Sequence, residues 1–161
     1  MLHVNFIVLL LVSFVLKSTI PYFVEFFQFT PHYYEFSDVS SIHISDNDKA
    51  ITIERIMVDK WQSNQYPIKN SAIDNAKNSL YALQRATLIS NNVDQFIVYG
   101  LENTNHKVKL TLFDGETIEF FIGNTGPFSG SHYIRYANED NIYLVRDYLS
   151  YTFKPSLDEW L

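Results

Sequence analysis

The chain has 161 residues, a formal charge of -6 and no cysteine, which excludes disulfides, thiolate metal sites and a cysteine nucleophile. One Lys and one Glu fall in residues 1–29, leaving 11 basic against 17 acidic residues in 30–161, so the polar part offers nucleic acid no electrostatic footprint. The length accommodates one domain of ordinary size with an appendage.

The appendage comes first. Over residues 4–16 the run V-N-F-I-V-L-L-L-V-S-F-V-L is interrupted only by Asn5 and Ser13, and apolar residues resume after Lys17 as far as Phe29. As a helix, residues 2–29 reach about 42 Å at about 1.5 Å per residue, enough for a hydrocarbon core of about 30 Å. A cleaved signal peptide calls for a basic residue before the run and an A-x-A-like site after it, and the sequence has neither. A buried helix apolar on every face needs a larger partner domain. The expectation is therefore a retained single-pass transmembrane anchor with an interfacial aromatic segment over 1–29. Lys17 snorkels or faces a protein partner. Pro21 kinks or ends the helix. Tyr22, Phe26 and Phe27 suit the membrane–water interface, while core packing stays open for residues 33–36. The acidic domain is expected on the extracytoplasmic, periplasmic side.

Residues 30–40 read as a connector and 41–161 as a single soluble domain. Apolar and polar residues alternate over 41–45 and 50–56 around the turn D-N-D-K, which predicts a hairpin. Trp61 is expected to cover an edge of the core. Ser71 followed by Asp74 reads as a capping box, and Ile73, Ala76, Leu80 and Leu83 recur at helical spacing, predicting a helix over 71–89. In V-Y-G-L-E-N, residues 98–103, Gly100 supplies a positive-φ turn that Tyr99 and Leu101 fix to the core. Strict alternation over 107–112 and 117–122 flanks Asp114-Gly115, a strong hairpin signal. Residues 123–131 read as a glycine-rich flexible loop, 132–136 and 142–145 as strands, and the tail as short helical pieces with Ser156 capping the last. The order β-β-α-β-β-β-α predicts an α+β domain with an antiparallel sheet and one main helix packed on it.

The pieces I-T-I-E-R-I...D-K-W, L-Q-R-A-T-L-I-S, Y-G-L-E-N, V-K-L-T-L-F-D-G-E-T-I-E-F-F-I-G-N and H-Y-I-R-Y...I-Y-L-V occur in the order and spacing of a known bacterial family. In them the chain resembles domain of unknown function family 4340 over roughly residues 40–161. The resemblance implies an amino-terminal membrane helix and this β-β-α-β-β-β order. Larger relatives carry repeated copies of the unit, whereas this chain has room for one. Some relatives are encoded beside transporter components linked to gliding or secretion. The family brings no catalytic residues to carry over.

The residues point away from chemistry. Among the five histidines, His3, His32, His43, His106 and His132, there is no pair at ligand spacing and no H-E-x-x-H. The loop G-N-T-G-P-F-S-G lacks the Gly-Lys-Ser/Thr ending of a phosphate cradle. Ser129 and Ser131 near His132 make no nucleophile elbow. Asp46 and Asp48 fit a turn better than a calcium loop, and Glu116 and Glu119 fall on opposite faces of a strand. No cofactor, metal or enzymatic activity is expected. The leading expectation is a non-enzymatic accessory or scaffold subunit of a larger bacterial membrane complex, with integral membrane subunits and the lipid bilayer as partners. Lys17, Tyr22, Phe26, Phe27 and Phe128 are its expected contacts, and Gly100, Asp114 and Gly115 its structural turns. The alternative is an extracytoplasmic binding module for a glycan, peptide or lipid.

Overall fold

The computed structural model describes residues 34–161. The anchor segment, with Lys17, Tyr22, Phe26 and Phe27, lies outside the described residues. What is described is an α+β domain dominated by antiparallel sheet. Its strands are β1 (Val39–Asp46), β2 (Lys49–Met57), β3 (Lys60–Ser63), β4 (Tyr66–Pro67), β5 (Thr87–Ser90), β6 (Lys107–Leu112), β7 (Thr117–Thr125), β8 (Ser131–Tyr136) and β9 (Ile142–Arg146). Helix α1 (Asn70–Leu83) lies between β4 and β5, and a single turn, α2 (Leu149–Thr152), follows β9. The strands form one sheet in the order β4-β3-β2-β1-β6-β7-β8-β9-β5.

Register explains the core. Ile42 stands between Ile53 and Leu110, and Ile44 between Ile51 and Val108; the same face continues through Phe120, Tyr136, Ile134 and Tyr143. Period-two alternation thus gathers large apolar side chains of six strands on one face. Phe120 meets Tyr136 and Phe153 edge-on at 6.2 and 5.9 Å. Helix α1 buries Ala72, Ile73, Ala76, Leu80 and Leu83. Ser79 Oγ hydrogen-bonds Thr152 Oγ1 at 3.2 Å, joining α1 to α2. The tail closes the core with buried Phe153 and Trp160, and the Trp160 carbonyl accepts from the Lys69 amide at 3.0 Å just before α1.

The opposite face is polar and is crossed by the segment leaving β5. Tyr99 packs on Tyr133 at 4.5 Å between ring centres, Leu101 is fully buried, and Arg135 Nε donates to the Leu101 carbonyl at 3.1 Å. The Arg135 guanidinium lies 4.0 Å from the Phe121 ring centre and 5.1 Å from that of Phe96.

Several sequence expectations need correction. The sheet has nine strands, against six stretches read as strands and the five of the predicted order β-β-α-β-β-β-α. β3 and β4 are short and joined by Asn64 and Gln65, both at positive φ (49° and 72°), so no glycine announces the turn. The helix predicted over 71–89 stops at Leu83. Leu88 and Ile89, the last residues of that predicted span, belong instead to edge strand β5, which pairs with β9. Ser71 does not cap α1: the N-cap is Lys69, with no side-chain hydrogen bond. Ser156 occupies the N-cap of the last 3-10 turn, also without a side-chain bond. β7 runs on to Thr125 through an irregularity after Ile122, which shortens the loop to residues 126–130. Within the stretch read as connector, Tyr34 and Phe36 are buried and β1 starts at Val39; the Tyr34 hydroxyl donates to the Leu80 carbonyl at 3.3 Å.

Candidate functional site

Gly100 and Gly115 have φ of 69° and 92°, the region that glycine enters without strain. A Cβ on Gly100 would run into the Asn124 side-chain amide, and one on Gly123 would meet the Tyr99 carbonyl and the Leu101 side chain. The Asn124 amide donates to the Tyr99 carbonyl at 2.9 Å. Two glycine-dependent segments far apart in sequence therefore dock backbone to backbone. The Asp114-Gly115 turn has three residues rather than two. Gly115 donates to the Leu112 carbonyl at 3.1 Å, Asp114 Oδ1 accepts from the Glu116 amide at 2.9 Å, and Phe113 is left exposed. Gly100, Asp114 and Gly115 are structural.

Phe128 sits in a different setting. The residue is 48% exposed although its backbone is pinned, because Ser131 Oγ donates to the Phe128 carbonyl at 2.7 Å and accepts from the Phe128 amide at 3.1 Å. Gly126 donates to the Ser131 carbonyl at 2.8 Å, so the loop closes on itself. The Arg146 guanidinium lies 4.3 Å from the Phe128 ring centre. Beside it, the Tyr148 hydroxyl is 3.1 Å from Ser129 Oγ, and Gly130 leaves room for the Tyr148 ring. Lys154 Nζ stands 4.4 Å from the ring centre of exposed Tyr151. A groove of about 450 Å³ runs between α1 and α2, lined by Asn75, Asn78, Ser79, Asp147, Tyr148, Tyr151 and Thr152.

His132 fastens this corner from within. It is buried, with Nδ1 3.0 Å from the Asp147 carbonyl and Nε2 2.8 Å from Ser150 Oγ. A carbonyl only accepts, so Nδ1 carries a proton toward Asp147, and Nε2 hydrogen-bonds the Ser150 hydroxyl. This link ties α2 to β8. Arg146, Tyr148 and the His132–Ser150 link were missed in the sequence because they meet the loop only through the β8–β9 pairing. The one available signal was the aromatic and basic density of R-D-Y-L-S-Y-T-F-K.

A second hollow, of about 520 Å³, is lined by Glu35, Phe36, Arg55, Trp61, Asp74, Lys77 and Tyr81 among others. Arg55 organises it. Its Nη1 donates to the Ser37 and Val39 carbonyls at 2.6 and 3.3 Å, and its guanidinium lies 4.9 Å from the Trp61 ring centre and 5.7 Å from that of Phe36. Among the described residues, no three His, Asp or Glu side chains converge to hold a metal ion. No helix among them is long and apolar enough to cross a membrane.

The family model described as Domain of unknown function (DUF4340) matches residues 61–161. The chain belongs to this family. No curated protein and no solved structure matches the chain. The DUF4340 match opens at Trp61 in β3, yet β1 and β2 lie between β3 and β6 in the sheet. The folded unit of this DUF4340 chain therefore includes strands that precede the match.

Proposed function

We propose that this DUF4340 chain is a membrane-anchored accessory subunit. In this reading the 28-residue apolar stretch 2–29 holds it in the bilayer, and the acidic α+β domain binds an integral membrane partner on the extracytoplasmic side. The observation that carries the partner-binding part is the Phe128 corner. Interface hot spots are aromatic and Arg side chains whose geometry is set before binding, so that little entropy is lost on contact. Phe128 is exposed, its backbone is fixed by Ser131, and its ring is held by Arg146, with Tyr148 and Tyr151 alongside. No bond needs to be made or broken for this role.

The test is purification of the full chain from native membranes in mild detergent, beside Phe128→Ala. A stoichiometric integral membrane partner is expected with the wild-type chain. Loss of an exposed hot-spot ring weakens binding by about 2 kcal/mol, roughly thirtyfold, with thermal stability unchanged. A chain that runs as a free monomer, or a Phe128→Ala chain that keeps its partner in full, contradicts the reading. The hollow beside Arg55 and Trp61 supports a second reading, a binding module for a small glycan, peptide or lipid headgroup. Saturable ligand binding lost in Lys77→Ala would establish it.

A further inference from the structure

Four large apolar side chains are exposed at one end of the sheet. Ile56, Met57 and Val58 form the end of β2 and its turn into β3, and Phe113 is the tip of the β6–β7 turn; all four are between 50% and 78% exposed. Pairing places both tips at the same end, because Val39 of β1 stands opposite Leu112 while Ser41 stands opposite Glu54. The chain enters the domain at this end: Phe113 donates to the Asp38 carbonyl at 2.9 Å, and Arg55 Nη1 holds the Ser37 carbonyl. On the anchor reading above, Phe29 is the last interfacial residue, and five steps of at most about 3.6 Å each keep Tyr34 within about 18 Å of it. An apolar patch tethered that close to a bilayer has one solvent other than water within reach. The charges nearby decide which bilayer. The same strand ends carry Asp38, Asp59, Asp114, Glu116, Glu139 and Asp140 against Arg55 and Lys60, and Arg55 is already engaged by carbonyls and rings. A strongly anionic surface would repel this end, whereas a zwitterionic one accepts it.

We propose that the end of the sheet bearing Ile56, Met57, Val58 and Phe113 is a second membrane contact, which inserts these side chains into a zwitterionic lipid interface. The proposal rests on the anchor reading and adds an orientation. β7 runs away from this end, at about 3.3 Å per residue, so its far end and the Phe128 loop stand roughly 26 Å further from the membrane. The anchored domain thus offers its aromatic corner to the membrane-distal part of a partner.

The chain has no cysteine, so single-cysteine labelling of the full chain needs no background changes. Met57→Cys and Phe113→Cys, each carrying an environment-sensitive dye, are compared with Asn47→Cys at the opposite end of β2, all reconstituted in phosphatidylcholine vesicles containing spin-labelled lipid. The expected result is loss of most of the fluorescence at positions 57 and 113, little loss at 47, and weaker quenching in phosphatidylglycerol vesicles. Adding Val58→Asp should restore the position-113 signal to the level at 47. Equal quenching at all three positions overturns the proposal while leaving the anchor intact, provided the chain floats with the vesicles and resists carbonate extraction. A chain that does not float overturns both readings.

Discussion

Gly100 at φ 69°, with the Asn124 amide where its Cβ would stand, is the position at which a single methyl group should matter most for its size. Gly100→Ala incurs both the left-handed backbone penalty and the clash, and is expected to cost about 1–3 kcal/mol. Adding Asn124→Gly should return part of that loss, since it removes the clash and leaves the backbone strain. Chemical denaturation measures both, and a neutral Gly100→Ala would show that the docking of the two segments is not as described. This residue was legible because glycine carries its own conformational signature. Arg55 was not: its partners Ser37, Phe36, Trp61 and Phe113 come from three separate stretches and meet only once β2 is paired on both sides.

At the scale of elements, alternation made β1, β2, β6 and β7 legible, because each buries one face and exposes the other. β5 was hidden because no glycine or proline separates it from α1, and only a turn after Leu83 and pairing with β9 decide between helix and strand. The start of α1 was misplaced for a related reason. Ser71 and Asp74 fit a capping pattern, but Lys69 holds the cap position without a side-chain bond. Ser71→Ala should therefore change stability by less than about 0.5 kcal/mol, whereas Lys69→Asn should add about 1 kcal/mol by supplying the missing cap. A Ser71→Ala loss near the full value of a cap would contradict this assignment of the helix start.

The whole molecule carries a test in its tyrosines. Burial pushes the Tyr34 and Tyr136 phenols well above the ordinary tyrosine value, with neighbouring Tyr136 adding to the effect on Tyr34, and Tyr143 and Glu139 adding to that on Tyr136. Below about pH 10 these phenols are protonated in folded and unfolded chains alike, so they leave stability unchanged. Above it the unfolded chain releases protons that the folded one keeps, and stability falls by about 1.4 kcal/mol per pH unit for each such tyrosine. Absorbance at alkaline pH should show these two ionising only together with unfolding; ionisation in the intact fold would contradict their burial. The same scale holds what the sequence showed least. The α+β class followed from the order of elements, but β1 lying between β2 and β6, and the meeting of the 126–130 loop with Arg146 and Tyr148, follow from long-range pairing. The central claim is that this corner faces a membrane protein partner. Replacing Phe128 with a photo-cross-linking phenylalanine analogue in native membranes tests it most directly, with Asn47 as the comparison site. The account predicts one discrete adduct with an integral membrane protein from position 128 and none from position 47. No adduct at 128, or the same adducts from both positions, would contradict it.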